Sequence, residues 1–176
     1  DIKALVKAGA KIIQIDEPAA STKPEEMSLL VETFNESVKG INGCKFTMHN
    51  CFSDYRLFFP HVLEMKDCAQ FAWELANGDS HKLGNFRPGY EILKLFNEYG
   101  SKAEIGLGVT DIHIDFIENP QLVRDRILYS VNILEDPKRV YLNPDCGLRT
   151  RRWEVAFAKL QNQVKGGILA EKVLSS

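Results

Sequence analysis

No apolar run in the sequence approaches the ~20 residues that a membrane span requires. Neither sign of charge is in excess: 22 Lys and Arg stand against 24 Asp and Glu, a net charge of -2. That balance gives no electrostatic reason to expect nucleic acid or an anionic membrane as a partner. Cysteine is sparse, with four in 176 residues. Four would permit two disulfides, but a chain of this length with 44% hydrophobic residues has room for a core and needs no staples. No signal peptide is visible, since the first residues form a charged amphipathic segment; a cytoplasmic location is expected. The first residue is not Met, and residues 1–9 read as the tail of a helix closed by Gly9. The expectation is that these residues come from a longer chain. Internal repeats, low-complexity linkers and a Gly-rich phosphate loop after the first strand are all missing.

What is present is a regular alternation. Lys11-Ile12-Ile13-Gln14-Ile15-Asp16-Glu17-Pro18 is an apolar run ending in two acids and a proline, a buried strand entering a loop. Ser21 to Glu26 starts a helix whose stripe is Met27, Leu30, Val31, Phe34 and Val38, closed by Gly40. Cys44 to Cys51 is a second strand. Ser53-Asp54 would cap a helix reaching about Lys66, bent or shortened by Pro60. Residues 68–75 form a third strand, and Pro88 opens a helix ended by Gly100. Residues 104–111 form a fourth strand. Asn119-Pro120 caps a helix with Leu122, Val123, Ile127, Val131 and Leu134 inward. Residues 139–146 form a fifth strand, and a last helix runs from about Arg152 to Val173, with Trp153, Ala156, Leu160 and Val164 on one side.

One helix followed by five strand–helix units predicts an α/β fold with a parallel sheet covered by helices. The polar residues of interest cluster at the C-terminal ends of the strands, where such folds place their sites. An open doubly wound sheet is the default for five strands. Functional residues after every strand favour instead the last five units of a parallel (β/α)8 barrel of the TIM type, with residues 1–176 as the C-terminal part and three units lying upstream.

The strand ends carry Asp16 and Glu17, His49 and Cys51, Glu74, Asp111 and His113, and Asp145 and Cys146. Side chains alternate along a strand, so His49 and Cys51 point the same way. An imidazole and a thiolate side by side are two of the four ligands of a zinc ion; Cys146 and Glu74 are the candidates for the others. Glu74 sits inside an apolar strand, where a carboxylate is rare unless paired or metal-bound. Cys44 and Cys68 open apolar runs and are expected to be ordinary core cysteines.

Residues 13–19 (IQIDEPA), the His49-Asn50-Cys51 pair, Glu74 and residues 143–151 (NPDCGLRTR) occur in this order. Together they resemble the catalytic barrel of the cobalamin-independent methionine synthase family. The resemblance covers nearly the whole chain. It implies that His49, Cys51, Glu74 and Cys146 are ligands of a zinc cofactor. It implies that Asp16 and Glu17 bind substrate, Asp16 holding the amino group of homocysteine. It implies that His113 lies near the methyl donor as the proton source for the leaving group. Two departures stand out. Residues 106–116 (GLGVTDIHIDF) lack the Ser-Pro-Arg-Ile-Pro stretch usual after that histidine, and the loop after Glu74 is longer than usual. Both suggest a short-form relative or paralogue, with methyltetrahydrofolate or a methylcorrinoid as donor and a corrinoid protein as a partner in the second case. The resemblance thus implies an S-methyltransferase that forms methionine from homocysteine. The alternatives are zinc-dependent alkyl transfer to another thiol, such as coenzyme M, and a zinc-binding domain without turnover.

Overall fold

The computed structural model describes residues 1–175. Its elements run in the order α1 (Ile2–Lys7), β1 (Ile12–Asp16), α2 (Met27–Val38), β2 (Lys45–Asn50), β3 (Cys68–Trp73), α3 (Lys94–Glu98), β4 (Glu104–Thr110), α4 (Pro120–Leu134), β5 (Val140–Pro144) and α5 (Trp153–Leu174). The five strands form one sheet in sequential order, β1-β2-β3-β4-β5, and every pair is parallel. A doubly wound sheet reverses its strand order at a switch point. An order that never reverses is that of a barrel wall, and the fold is five βα units of the (β/α)8 type.

Register separates the two faces. Ile13, Phe46, Phe71, Ile105 and Leu107 are buried under the helices. The opposite, inner face carries Gln14 and Asp16, Thr47 and His49, Gln70 and Ala72, Gly106 and Gly108, and Tyr141 and Asn143, aligned row by row across the strands. Its floor is polar: Glu104 pairs with Lys45 and accepts from Gln70 Nε2 at 3.2 Å. At the margins of this face Ile12 is 65% exposed and Tyr141 44%, whereas inward residues of a closed barrel are packed in layers.

The core is densest behind the ends of β2 and β3. Trp73, 1% exposed, stacks on Tyr55 at 4.5 Å and touches Phe58, Phe59, Phe71 and Phe96. Each large apolar side chain buried there contributes about 1.5–3 kcal/mol, so this cluster anchors the strand ends that carry the site.

Four local expectations change. Residues 53–66 form two short 3-10 turns, Tyr55–Phe58 and His61–Glu64, rather than a bent helix; Pro60 between them has no N–H to continue one. The helix opened by Pro88 is 3-10 as far as Leu93 and α only from Lys94. The stripe Trp153, Leu160 and Val164 of α5 faces outward. The docking face of α5 is Val155, Lys159, Gln163, Gly166 and Ala170. A Cβ on Gly166 would meet Val123 at 2.5 Å, so α5 approaches α4 at a distance only glycine permits. Cys44 and Cys68 are partly buried against the core rather than inside it. Among the described residues no helix is long and apolar enough to cross a membrane.

Candidate metal centre

His49 is the last inward residue of β2, and its imidazole is fixed by a hydrogen bond from Nδ1 to the Ala72 carbonyl, 2.9 Å away. A carbonyl only accepts, so Nδ1 carries the proton and Nε2 presents its lone pair, as a metal-binding histidine requires. Cys51, just past the strand, places Sγ 3.2 Å from that Nε2. Cys146, in the loop after β5, places its Sγ 3.3 Å from His49 Nε2 and 3.4 Å from Cys51 Sγ. Glu74, just past β3, completes the group. One donor atom from each of the four lies within 4.8 Å of all the others. All four cysteines are free thiols.

The electrostatics of this cluster call for a cation. Burial pushes the Cys51 thiol up to about 12, with the Cys146 thiol and the carboxylates of Glu74 and Asp16 adding to the effect. A positive ion shared by the cluster would favour the Cys51 thiolate instead. The donor set of one imidazole, two sulfurs and one carboxylate suits zinc.

Glu74 is held from behind. Its Oε2 lies 2.7 Å from His113 Nε2 and accepts from Asn77 Nδ2 at 3.0 Å. The Glu74 side chain is 1% exposed and that of His113 41%. The backbone of the site is tied together by two residues: Tyr55, which carries no sequence signal, and Asp145, which the sequence places at a strand end without a role. Tyr55 donates to the Asn50 carbonyl at 2.9 Å and accepts from the Glu74 N–H at 2.8 Å, joining the ends of β2 and β3. Tyr55→Phe leaves both buried groups unpaired, and a loss of about 1–3 kcal/mol for each in chemical denaturation is the expected outcome.

Asp145 is the second. Its carboxylate accepts from the N–H groups of Leu75, Ala76 and Asn77 at 3.0, 2.9 and 2.8 Å, clamping the loop after Glu74 onto the loop that carries Cys146. Burial pushes this carboxyl up to about 7, opposed by those three donors and reinforced by the charge of Glu74. A Cβ on Gly108 would overlap the Asp145 carboxylate, which is why β4 runs glycine there. The sequence signal for Asp145 was an acid immediately before Cys146 at a strand exit. Tyr55 carried no signal.

Asp16 stands beside His49 in register on the inner face, with its Oδ1 accepting from Gln14 Nε2 at 2.9 Å. Glu17 turns onto its own loop, where Oε1 accepts the Ala19 N–H at 2.9 Å. The structure therefore brings together His49, Cys51, Glu74, Cys146 and His113, sets Asp16 next to them, and directs Glu17 to cap the loop.

Sequence and structure comparisons bear on the family and the fold. Residues 1–167 match the family described as cobalamin-independent synthase, catalytic domain. A methionine synthase of Thermoplasma volcanium is 44% identical over 168 residues, covering 90% of this chain and 48% of the relative. One from Saccharolobus solfataricus is 41% identical over 169 residues, covering 94% and 46%. The chain thus spans about half the length of the curated relatives it matches. The structure of a B12-independent methionine synthase from Shewanella sp. W3-18-1, in complex with selenomethionine, has the same fold, with a TM-score of 0.81 at 21% identity over 99% of this chain and 53% of that one. The chain belongs to the cobalamin-independent synthase catalytic-domain family.

Proposed function

We propose that this chain carries the thiol-activating centre of a zinc-dependent methyltransferase that forms methionine from homocysteine. The observation that carries the reading is the convergence of His49, Cys51, Glu74 and Cys146 from three strand ends onto one point. The name of the relatives, methionine synthase, supports homocysteine as the acceptor. Zinc held by these residues supplies one thing: it keeps a substrate thiol, with an ordinary pKa of ~8.5, as the thiolate at neutral pH.

The protein's own residues do the rest. Asp16, on the inner face beside His49, binds the ammonium of the amino acid and aims its sulfur at the centre. Glu17 supports that anchor by capping the loop. Were zinc bound, Glu74 would be the donor placed to give way to a substrate sulfur, since His113 and Asn77 already satisfy its Oε2. Two cysteines keep the centre electron-rich, which favours a nucleophilic sulfur over a strongly polarising metal. His113 donates its Nε2–H to Glu74, so it acts as an acid from the imidazolium form: Nδ1–H gives its proton to the leaving group, and the neutral ring keeps its bond to Glu74. Three further βα units of the same protein cover Ile12 and Tyr141 and complete the pocket, so the activity belongs to the full-length protein.

An amino-group anchor distinguishes homocysteine from coenzyme M, which has none. Asp16→Ala removes a charged hydrogen bond worth about 1.5–3 kcal/mol, so KM for homocysteine should rise roughly 10- to 100-fold with metal content unchanged. Glu17→Gln should move KM far less. The function itself is tested by supplying zinc-loaded full-length protein with homocysteine and either methyltetrahydrofolate or methylcobalamin. Methionine from one of the two identifies the donor. Turnover with coenzyme M but not homocysteine would overturn the assignment.

A further inference from the structure

Five charged side chains, Asp79, Arg87, Glu118, Arg126 and Lys159, lie behind the metal centre with no exposure at all. Burying ion pairs is costly, and apolar replacements of similar volume are often as stable or more so. Stability alone is therefore a poor reason for this cluster, and its connections suggest a better one.

Arg126 sits on the buried face of α4. Its Nε donates to Asp79 Oδ2 at 2.9 Å, and its Nη1 donates to the Val109 carbonyl at 2.9 Å and lies 3.7 Å from Glu118 Oε1. Asp79 belongs to the loop that carries Asn77, and Arg87 secures it from the far end of that loop at 2.7 Å. Glu118 belongs to the loop that carries His113. Its Oε1 accepts the Asp111 N–H at 2.7 Å, and Asp111 Oδ1 in turn accepts the His113 N–H at 2.7 Å. Lys159 of α5 holds the other oxygen of Glu118 at 3.0 Å. The two groups that hold Glu74 Oε2, Asn77 and His113, thus ride on two loops fixed to one guanidinium.

We propose that Arg126, acting through Asp79 and Glu118, is a positioning residue that sets the His113 and Asn77 grip on Glu74 and so governs how readily Glu74 yields its place to a thiol. This rests on the methyltransferase reading for the thiol and on geometry alone for the grip. Neither Arg126 nor Glu118 is within the contacts of the four donors, so their effect on the centre passes through Glu74.

The test uses full-length protein loaded with zinc or cobalt. Glu118→Gln keeps an acceptor for the Asp111 N–H and removes the charge that holds Lys159 and Arg126. The expected results are a displaced His113 imidazole resonance in the zinc form and a loss of homocysteine affinity of about 10- to 100-fold, the usual cost of an outer-shell change, read from the cobalt absorption spectrum. Arg126→Lys should act in the same direction; if it does not fold, Glu118→Gln decides. The double change with His113→Ala should be no worse than His113→Ala alone. A folded Glu118→Gln protein with an unmoved His113 resonance and homocysteine affinity within about twofold of wild type, where outer-shell changes usually cost tenfold, would overturn the proposal. So would full additivity with His113→Ala. If wild type shows no response to thiol, the methyltransferase reading fails, and the His113 resonance still decides whether Arg126 and Glu118 set the grip.

Discussion

Replacing Cys146 by Ser should abolish methyl transfer and metal binding while leaving the fold in place. Cys146 lies in the loop after β5 and is only partly buried, so the exchange of sulfur for oxygen creates no cavity. It also leaves the Asp145 clamp intact, because that clamp uses the neighbouring carboxylate. What changes is the donor set. A hydroxyl is not deprotonated by zinc as a thiol is, and the centre drops from four strong donors to three. Losing a direct donor should exceed the 10- to 100-fold typical of outer-shell partners, so activity falls by more than about 100-fold. Zinc per chain, measured after dialysis, should fall with it. Full zinc retention in Cys146→Ser would remove Cys146 from the ligand set.

The second large effect is on stability. Asp145→Ala should destabilise the protein by about 3 kcal/mol, because it strands two buried N–H groups, at roughly 1–3 kcal/mol each, and a partly buried one at less. The same change frees the loop after Glu74 from the loop of Cys146, so metal affinity should drop as well. Asp145→Asn offers one acceptor oxygen in place of two and should fall between wild type and Asp145→Ala. Denaturant melts of the three proteins with and without zinc check this order. A melt of Asp145→Ala that matches wild type would show that the clamp contributes nothing.

The strands and their polar ends were legible because a buried parallel strand is an apolar run that stops abruptly. Alternation puts His49 on the inner face, and Cys51, just past the strand, brings its Sγ within 3.2 Å of His49 Nε2. The (β/α)8 winding followed from functional residues at every strand end, and the unreversed strand order agrees with it. Helix α4 was readable from its stripe, but Arg126 in the middle of that buried stripe passed without comment. A charge at a core position of a helix is a signal for a buried ion-pair network, and it would have led to Asp79 and Glu118. The face of α5 was misread because it docks through Lys159, Gln163 and Gly166, and apolar periodicity does not register polar and glycine contacts. Tyr55 and Asn77 were beyond reach: their roles depend on contacts that only the fold creates.

Zinc X-ray absorption of the loaded full-length protein, recorded with and without homocysteine, tests the central claim most directly. The resting centre should show one zinc per chain with two sulfurs at about 2.3 Å and two nitrogen or oxygen donors at about 2.0–2.2 Å. With homocysteine it should gain a third sulfur and lose one oxygen, that of Glu74. A resting centre without two sulfurs, or a shell that homocysteine leaves unchanged, would contradict the claim.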